Sequence, residues 1–350
     1  MGPGAAPPDG SLRVRVAMAP AAPAGWDDLV RGARAASFFH RGLWTECVAR
    51  HVPGARPVWL VATAGGRVVG GLAAIERRRG PFRRLESHFE GTAGGPVVAA
   101  DLSPARQDEA AAALLGAFGR LGRRPLTAAA NVVLGPQEDA RWGAAAARAG
   151  LRRQAVPAAV VPLDGGLQAV EYGVFPMNRR NERNRALRRG LTAGVTCDDT
   201  DLLAQVYDVY LAVARRWVSA PAPLPLLREL LLRGEGAAFL CWVRWEGRVV
   251  GGHFNLHAGE SVTAWVGATM PEHADKFPAT LVVWTEIEEA CRRGAARLDL
   301  GGSGGQAGVA RFKKLMGARE EIRGLWQSAA PAYRLWNRLR GRRVASRGEP

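Results

Sequence analysis

Runs of apolar residues meet a glycine turn twice along the chain. Val58-Trp59-Leu60-Val61-Ala62 leads into Gly66-Arg67-Val68-Val69-Gly70-Gly71, and Phe239-Leu240-Cys241-Trp242-Val243 leads into Gly247-Arg248-Val249-Val250-Gly251-Gly252. Each stretch predicts a β-hairpin. The hexapeptide GRVVGG is identical in both, and the copies stand 181 residues apart, near half of the 350-residue chain. A repeat at that spacing predicts two similar domains in tandem.

The rest of the pattern alternates between helical and strand periods. Asp108 to Leu121 sets Leu114, Leu115, Phe118 and Leu121 on one side of a helix. Asn131–Leu134 reads as a strand, Trp142–Ala149 as a helix stopped by Gly150, and Ala159–Leu163 as a strand. A boundary is expected at Asp164-Gly165-Gly166. Beyond it, Phe175 to Gly190 predicts a short basic helix ending at its glycine, Leu202–Trp217 an amphipathic helix, and Ala220–Pro225 a proline-rich linker. After the second hairpin come strand Ser261–Val266, helix Pro278–Arg293 with Gly294 as its stop, strand Ala296–Leu300, and a helix over Val309–Met316. Helices interleaved with hairpins predict an α/β chain whose sheets are mixed and mostly antiparallel. The expected layout is a disordered segment over 1–24, domains over 25–165 and 166–328, and a basic tail over 329–350.

Composition narrows the class. A hydrophobic fraction of 47% is incompatible with a disordered chain, and no apolar run approaches the roughly 18 residues of a membrane span. The segment Met1–Pro23 lacks the basic-then-apolar order of a signal peptide, so the cytoplasm is the expected location. Cys47, Cys197, Cys241 and Cys291 form no C-x-x-C pair, so neither a metal site nor dithiol chemistry is expected. The net charge is +16, from 48 basic residues of which only Lys276, Lys313 and Lys314 are lysine. Coding bias accounts for arginine in place of lysine but not for the excess over acids. That excess fits an anionic partner or, equally, a solvated basic surface. Two of the three lysines are adjacent, at positions where a compact point charge differs from a planar fork.

The adjacent lysines end the most informative segment, Leu298-Asp299-Leu300-Gly301-Gly302-Ser303-Gly304-Gly305-Gln306-Ala307-Gly308-Val309-Ala310-Arg311-Phe312-Lys313-Lys314. A strand ends, glycines including Gly304 and Gly305 turn, and a helix begins that carries cations in its first turns. Backbone N–H groups, a helix N-terminus and lysine charges together make a cradle for a phosphate, a carboxylate or a developing oxyanion. The bland alternative is a flexible loop before a surface helix. The spacing fits neither the G-x-x-x-x-G-K-[ST] loop nor G-x-G-x-x-G with a downstream acid.

This segment resembles the FemAB-type acyltransferases of the GNAT superfamily, in its "LDLGGS" strand, the "G-x-x-x-F-K" of Gly308 to Lys313, and Gly317. Four further stretches agree in order: "SFFHRGLWTECV" (Ser37–Val48), "GTAGGPVV" (Gly91–Val98), "NRRNERNRALRRGLTAGV" (Asn178–Val195) and "KFPATLVVWTEIEEACRRGA" (Lys276–Ala295). The resemblance spans about residues 35–320. It implies two tandem GNAT-like domains and transfer of an acyl group to an amine acceptor. The donor arrives as co-substrate, aminoacyl-tRNA or acyl-CoA, with no tightly bound cofactor. It also implies that Phe312 and Lys313 act on substrate, Lys313 by binding phosphate or stabilising the charged intermediate, where a held cation lowers the barrier. Acyl-CoA members carry a Q/R-x-x-G-x-G/A loop for the pyrophosphate. Met270 to Phe277, after the strand, has no such glycines, and neither half carries the loop. That shifts the expected donor to aminoacyl-tRNA. The long helical arm of some bridge-forming members is also missing, so peptidoglycan is not implied as acceptor.

The expected site is therefore Lys313 and Asp299 for catalysis. Phe312, Arg311, Lys314, Gly304, Gly305, Arg180, Arg183 and Lys276 are expected to bind substrate, with no metal. Asp299, Glu286, His253 and His273 are all conceivable bases for the amine proton, although Asp299 reads first as a cap of the following turn. Arg180, Arg183 and Arg188 share one side of the basic helix, as phosphate grips or as solvated charges. From Trp326 onward, Tyr333, Leu335, Trp336 and Leu339 interleave with arginines. That is either a basic helix lying on anionic lipid or RNA, or one docked on the body. Three readings compete: aminoacyl transfer from tRNA, acyl-CoA-dependent N-acylation of an envelope sugar, polysaccharide precursor or small metabolite, and a non-enzymatic scaffold that binds RNA or an anionic surface.

Overall fold

The computed structural model describes residues 11–33, 36–87, 89, 92–214 and 221–328. Its elements run β1 (Arg13–Ala17), α1 (Trp26–Gly32), α2 (Gly42–His51), β2 (Ala55–Ala64), β3 (Arg67–Arg79), β4 (Phe82–Glu86), β5 (Val97–Val98), α3 (Pro104–Gly122), β6 (Thr127–Leu134), α4 (Pro136–Arg148) and β7 (Arg152–Pro162). They continue with α5 (Gly166–Ala169), α6 (Met177–Arg188), β8 (Leu191–Thr196), α7 (Thr200–Ala214), α8 (Leu224–Arg233), β9 (Ala238–Trp245), β10 (Arg248–Ala258), β11 (Ser261–Thr269), α9 (Pro278–Arg292), β12 (Arg297–Asp299), α10 (Ala307–Leu315) and β13 (Arg319–Ser328).

The chain divides into two compact units. The first takes residues up to Phe89, Ala93–Ala155 and the chain from Arg323; the second takes Val156–Ile322. In the first, the strand order is β1-β2-β3-β4-β6-β13, with β5 beside β3. Only β4 and β6 pair in parallel among its described residues. Period two along β2 fills two layers. Val58, Leu60 and Ala62 join Leu114, Leu115 and Phe118 of α3 on one face. Trp59 and Val61 join Trp26 and Leu29 of α1 on the other. In the second unit the order is β7-β12-β11-β10-β9-β8, and again a single described pair, β11 with β12, is parallel. Phe239, Cys241 and Val243 of β9 face a core built with α9. Leu240 faces Leu203 and Val206 of α7 and Leu227 of α8. Each buried phenylalanine, such as Phe239 or Phe254, contributes roughly 1.5–3 kcal/mol through burial.

The sequence repeat is a structural repeat. Both hairpins turn on two residues of positive φ, Gly65-Gly66 (55°, 78°) and Glu246-Gly247 (49°, 75°), as a tight hairpin requires. Both also carry a β-bulge at the same place. Pairing runs Thr63–Val68 then Ala62–Gly70 in the first copy, so Val69 is extra. It runs Arg244–Val249 then Val243–Gly251 in the second, so Val250 is extra. The last glycine of each hexapeptide lets a helix close on the sheet. A Cβ on Gly71 would lie 2.5 Å from the Trp26 ring, and one on Gly252 would lie 2.8 Å from Val206 of α7.

Four expectations are corrected. Residues 13–17, assigned to a disordered segment, pair with β2 as β1. The expected boundary at 164–166 moves to Ala155/Val156, because Val160, Val161 and Pro162 of β7 pair with β12 of the second unit. The proline-rich linker is shorter than expected: its last two residues, Leu224 and Pro225, open α8, where Pro225 sits in the first turn, a position that needs no N–H. Trp326, expected to begin a basic helix, is buried in β13 and donates to Asp139 at 2.7 Å, while Gly324–Ser328 pair with β6 and belong to the first unit. The end of the predicted helix at Trp217, the start of the linker at Ala220, residues 1–10, Gly91 and the tail from residue 329 lie outside the described residues.

Candidate active site

The second unit opens where its parallel strands part. β11 and β12 pair only at Ser261–Arg297, Val262–Leu298 and Thr263–Asp299. β12 ends there, whereas β11 runs on to Thr269. The carboxyl ends of parallel strands are where α/β sheets hold ligands, and the glycine loop and α10 follow directly.

Asp299 and Lys313 organise that loop. The Asp299 carboxylate, buried at 6% exposure, accepts the Gly301 N–H at 2.8 Å, which is the turn-capping role read as its alternative. Lys313 Nζ donates to three successive carbonyls, Leu300 (2.5 Å), Gly301 (3.1 Å) and Gly302 (2.8 Å). Burial pushes the ammonium below the usual lysine range, opposed by the charges of Asp299 and Glu286. The consequence follows from peptide planarity: in a trans unit the N–H points opposite to the carbonyl. With the carbonyls of Gly301 and Gly302 turned to Lys313, the N–H groups of Gly302 and Ser303 face the other way. Two adjacent N–H groups on that side are the kind of donors an anion-binding nest uses. Gly304 (φ 56°) and Gly305 (φ 78°) continue the turn into α10 and are exposed, as are Arg311 and Lys314. Phe312 packs, partly buried, against the core that holds Met316.

Two of the conceivable bases meet each other, and one of them, Glu286, acts on the Lys313 charge. His253 of β10 places Nδ1 2.8 Å from Oε1 of Glu286 on α9. Glu286 is fully buried, and its other oxygen has no hydrogen-bond partner. Sequence reasoning named both residues but did not pair them. The available signal was a carboxylate inside the apolar run Leu281-Val282-Val283-Trp284-Thr285-Glu286-Ile287.

The other expected residues fall into two separate groups. Lys276 lies 4.5 Å over the Trp245 ring, and Trp245 stacks 5.0 Å from His273. Beside them Arg185 and Arg189 lie over Phe277, at 5.7 Å and 5.5 Å, and Arg189 also donates to the Asp275 carbonyl. Phe277, in the left-handed region (φ 64°), precedes α9. Some backbone donors of this segment are withdrawn. Pro271 and Pro278 have none, and the N–H groups of His273 and Phe277 bond to Met270 and Ala274. Arg185, Arg189, Trp245 and Phe277 were not anticipated from sequence. In the second of these groups, Arg180 lies 4.9 Å over exposed Tyr172. Arg183 stacks 4.4 Å over Trp284 and pairs with Glu171 at 2.8 Å, lining a cavity of about 630 Å³. Burial raises Glu288 in that cavity above the usual carboxylate range. Among the described residues, no group of three His, Cys, Asp or Glu is placed to hold a metal.

Residues 177–314 match the acetyltransferase (GNAT) domain family. The fold is similar to that of FemX (TM-score 0.69, 15% identity, 89% of this chain and 97% of that one). It is also similar to the C-terminal DUF2156 domain of a protein assigned as a lysylphosphatidylglycerol synthetase from Agrobacterium fabrum (0.61, 16%, 89% and 92%). A third similar structure is a tandem GNAT protein from the clavulanic acid biosynthesis pathway (0.56, 16%, 91% and 98%). No curated protein matches the sequence. Residues 177–314 thus carry a GNAT acetyltransferase domain, and the chain as a whole shares the FemAB-like fold of two GNAT domains in tandem. Among the described residues no helix is long and apolar enough to cross a membrane.

Proposed function

We propose that the protein forms an amide bond, transferring an aminoacyl group from aminoacyl-tRNA to an amine acceptor in the cytoplasm. The observation that carries this reading is the segment between β11 and α9. Two prolines and two self-bonded N–H groups thin the backbone donors that could cradle a pyrophosphate there, and Arg185, Arg189 and Lys276 stand around Phe277 and Trp245. Side-chain cations interleaved with aromatic rings suit a phosphodiester chain and its bases. The similarity to FemX supports the same reading. In the transfer, the acceptor nitrogen attacks the ester carbonyl, and the N–H pair of Gly302 and Ser303 takes the developing oxyanion. Lys313 acts by holding that loop and by its charge. Arg180, Arg183, Arg311 and Lys314 remain candidates for longer-range contacts with substrate phosphates.

The family description and the tandem GNAT neighbour favour a second reading, N-acylation from acyl-CoA. A donor screen separates the two. Radiolabelled alanyl-tRNA and acetyl-CoA are offered with a panel of amines, and salt-sensitive consumption of the charged tRNA alone is expected. Saturable micromolar binding of CoA with transfer from acetyl-CoA would replace the first reading by the second.

A further inference from the structure

We propose that His253 is the general base of the acyl transfer and that Glu286 is its positioning residue. The inference rests on acyl transfer to an amine, not on which donor is used.

The dyad is built from parts that have no other evident structural task. A carboxylate only accepts, so the 2.8 Å contact to Glu286 puts the hydrogen on Nδ1 and leaves the Nε2 lone pair free. Glu286 is fully buried and cannot swing away, while the imidazole is 21% exposed, held on one side and reachable on the other. Its backbone is fixed too, since Asn255 donates to the His253 carbonyl at 3.0 Å. His253 faces Gly267 across the β10–β11 register. A Cβ at Gly267 would collide with His253 Cδ2, so glycine alone lets the ring lean over β11. That part of β11 lies beyond Thr263, where β12 has parted from it. Glu286 from α9 and Cys241 opposite it on β9 are the titratable groups set against the ring, and Glu286 and Asp299 both act on the Lys313 charge. Burial pushes the Cys241 thiol up, so it stays neutral.

The step balances. The amine lone pair forms the C–N bond, and the nitrogen of the tetrahedral adduct gives its proton to Nε2. The imidazolium then delivers that proton to the leaving ester oxygen, or to the leaving sulfur of a thioester, as that bond breaks. His253 ends neutral, as it began.

Two measurements test it. Long-range ¹H–¹⁵N spectra of the free protein report the tautomer without any turnover. The expected state is Nδ1–H with a bare Nε2, redistributed in Glu286→Gln; an Nε2–H tautomer in the wild type overturns the proposal. Single-turnover transfer from alanyl-tRNA or acetyl-CoA to hydroxylamine gives the second. His253→Ala should lose roughly 10²–10⁴-fold in rate, with donor KM little changed and partial rescue by added imidazole. Glu286→Gln should lower kcat rather than raise KM. A His253→Ala rate within a few-fold of wild type overturns the proposal, and His253→Gln serves if the alanine variant does not fold. If neither donor is consumed by the wild type, the donor reading fails while the tautomer still decides the dyad.

Discussion

Replacing Lys313 by methionine separates two roles that this ammonium could have. As a free cation aimed at substrate, it would add little to stability. As the tie of the glycine loop, it holds three carbonyls. Hydrogen bonds to a charged group contribute roughly 1.5–3 kcal/mol each, and a buried carbonyl left bare costs roughly 1–3 kcal/mol. Leu300 is buried, whereas Gly302 is exposed and its carbonyl regains water. Methionine also removes the cost of burying the charge. The net loss is then about 3 kcal/mol, less than three full bonds. For a unit of this size that lowers Tm by about 6–12 °C. Thermal unfolding of Lys313→Met followed by tryptophan fluorescence measures it, and hydrogen exchange across residues 300–306 shows whether the loop loosens. Arginine should recover little, because a planar fork cannot converge three donors on one turn. Unchanged Tm and unchanged exchange, with transfer abolished, would refute the loop-tie argument and return Lys313 to the substrate.

Gly252→Ala and Gly71→Ala should each destabilise by about 1–3 kcal/mol through overpacking, since the added methyls meet Val206 and the Cys241 carbonyl, or the Trp26 ring; chemical denaturation checks this. His40 is buried, and burial lowers it from 6.5 to about 4. Between those values the unfolded chain binds the proton and the native one does not, so acidification should remove about 3 kcal/mol from the first unit. Denaturation midpoints measured across that range test the sign. Arg189→Ala and Lys276→Ala should weaken tRNA binding at every sequence and shorten the salt slope by about one per lost phosphate contact, read by filter binding at several salt concentrations.

Local rules made much of the architecture legible. The two hairpins, α3, α9 and the glycine-to-helix segment follow from period, caps and turn residues within a few positions of one another. What escaped depends on partners far along the chain. β1 is two valines among arginines, and it is a strand only because β2 offers an edge. β13 reads as charged chain until Gly324–Ser328 find β6. The site divided in the same way. Asp299 and Lys313 are fourteen residues apart on one segment and were found together. His253 and Glu286 are 33 residues apart, and only the closure of α9 over β10 makes them a pair.

The duplication gives a reason for the proposed chemistry to sit in one copy. At the offset of 181 residues, the first copy has Leu72 where the second has His253, and Ala74 where it has Asn255. Both are buried, so the first hairpin keeps the bulge and the helix-admitting glycine while its polar positions serve packing. The strand that pairs in parallel ends differently as well. β6 runs from Leu134 straight into Gly135 and Pro136 of α4, leaving no loop of free N–H groups and no lysine to turn them. Two backbones of one design thus carry different cores. Introducing His at Leu72 should therefore bury an unpaired imidazole, destabilise the first unit by roughly 1–3 kcal/mol, and create no transfer activity. Activity appearing in Leu72→His combined with His253→Ala would mean that the hairpin position alone, without Glu286 and the Lys313-tied loop, suffices as a base.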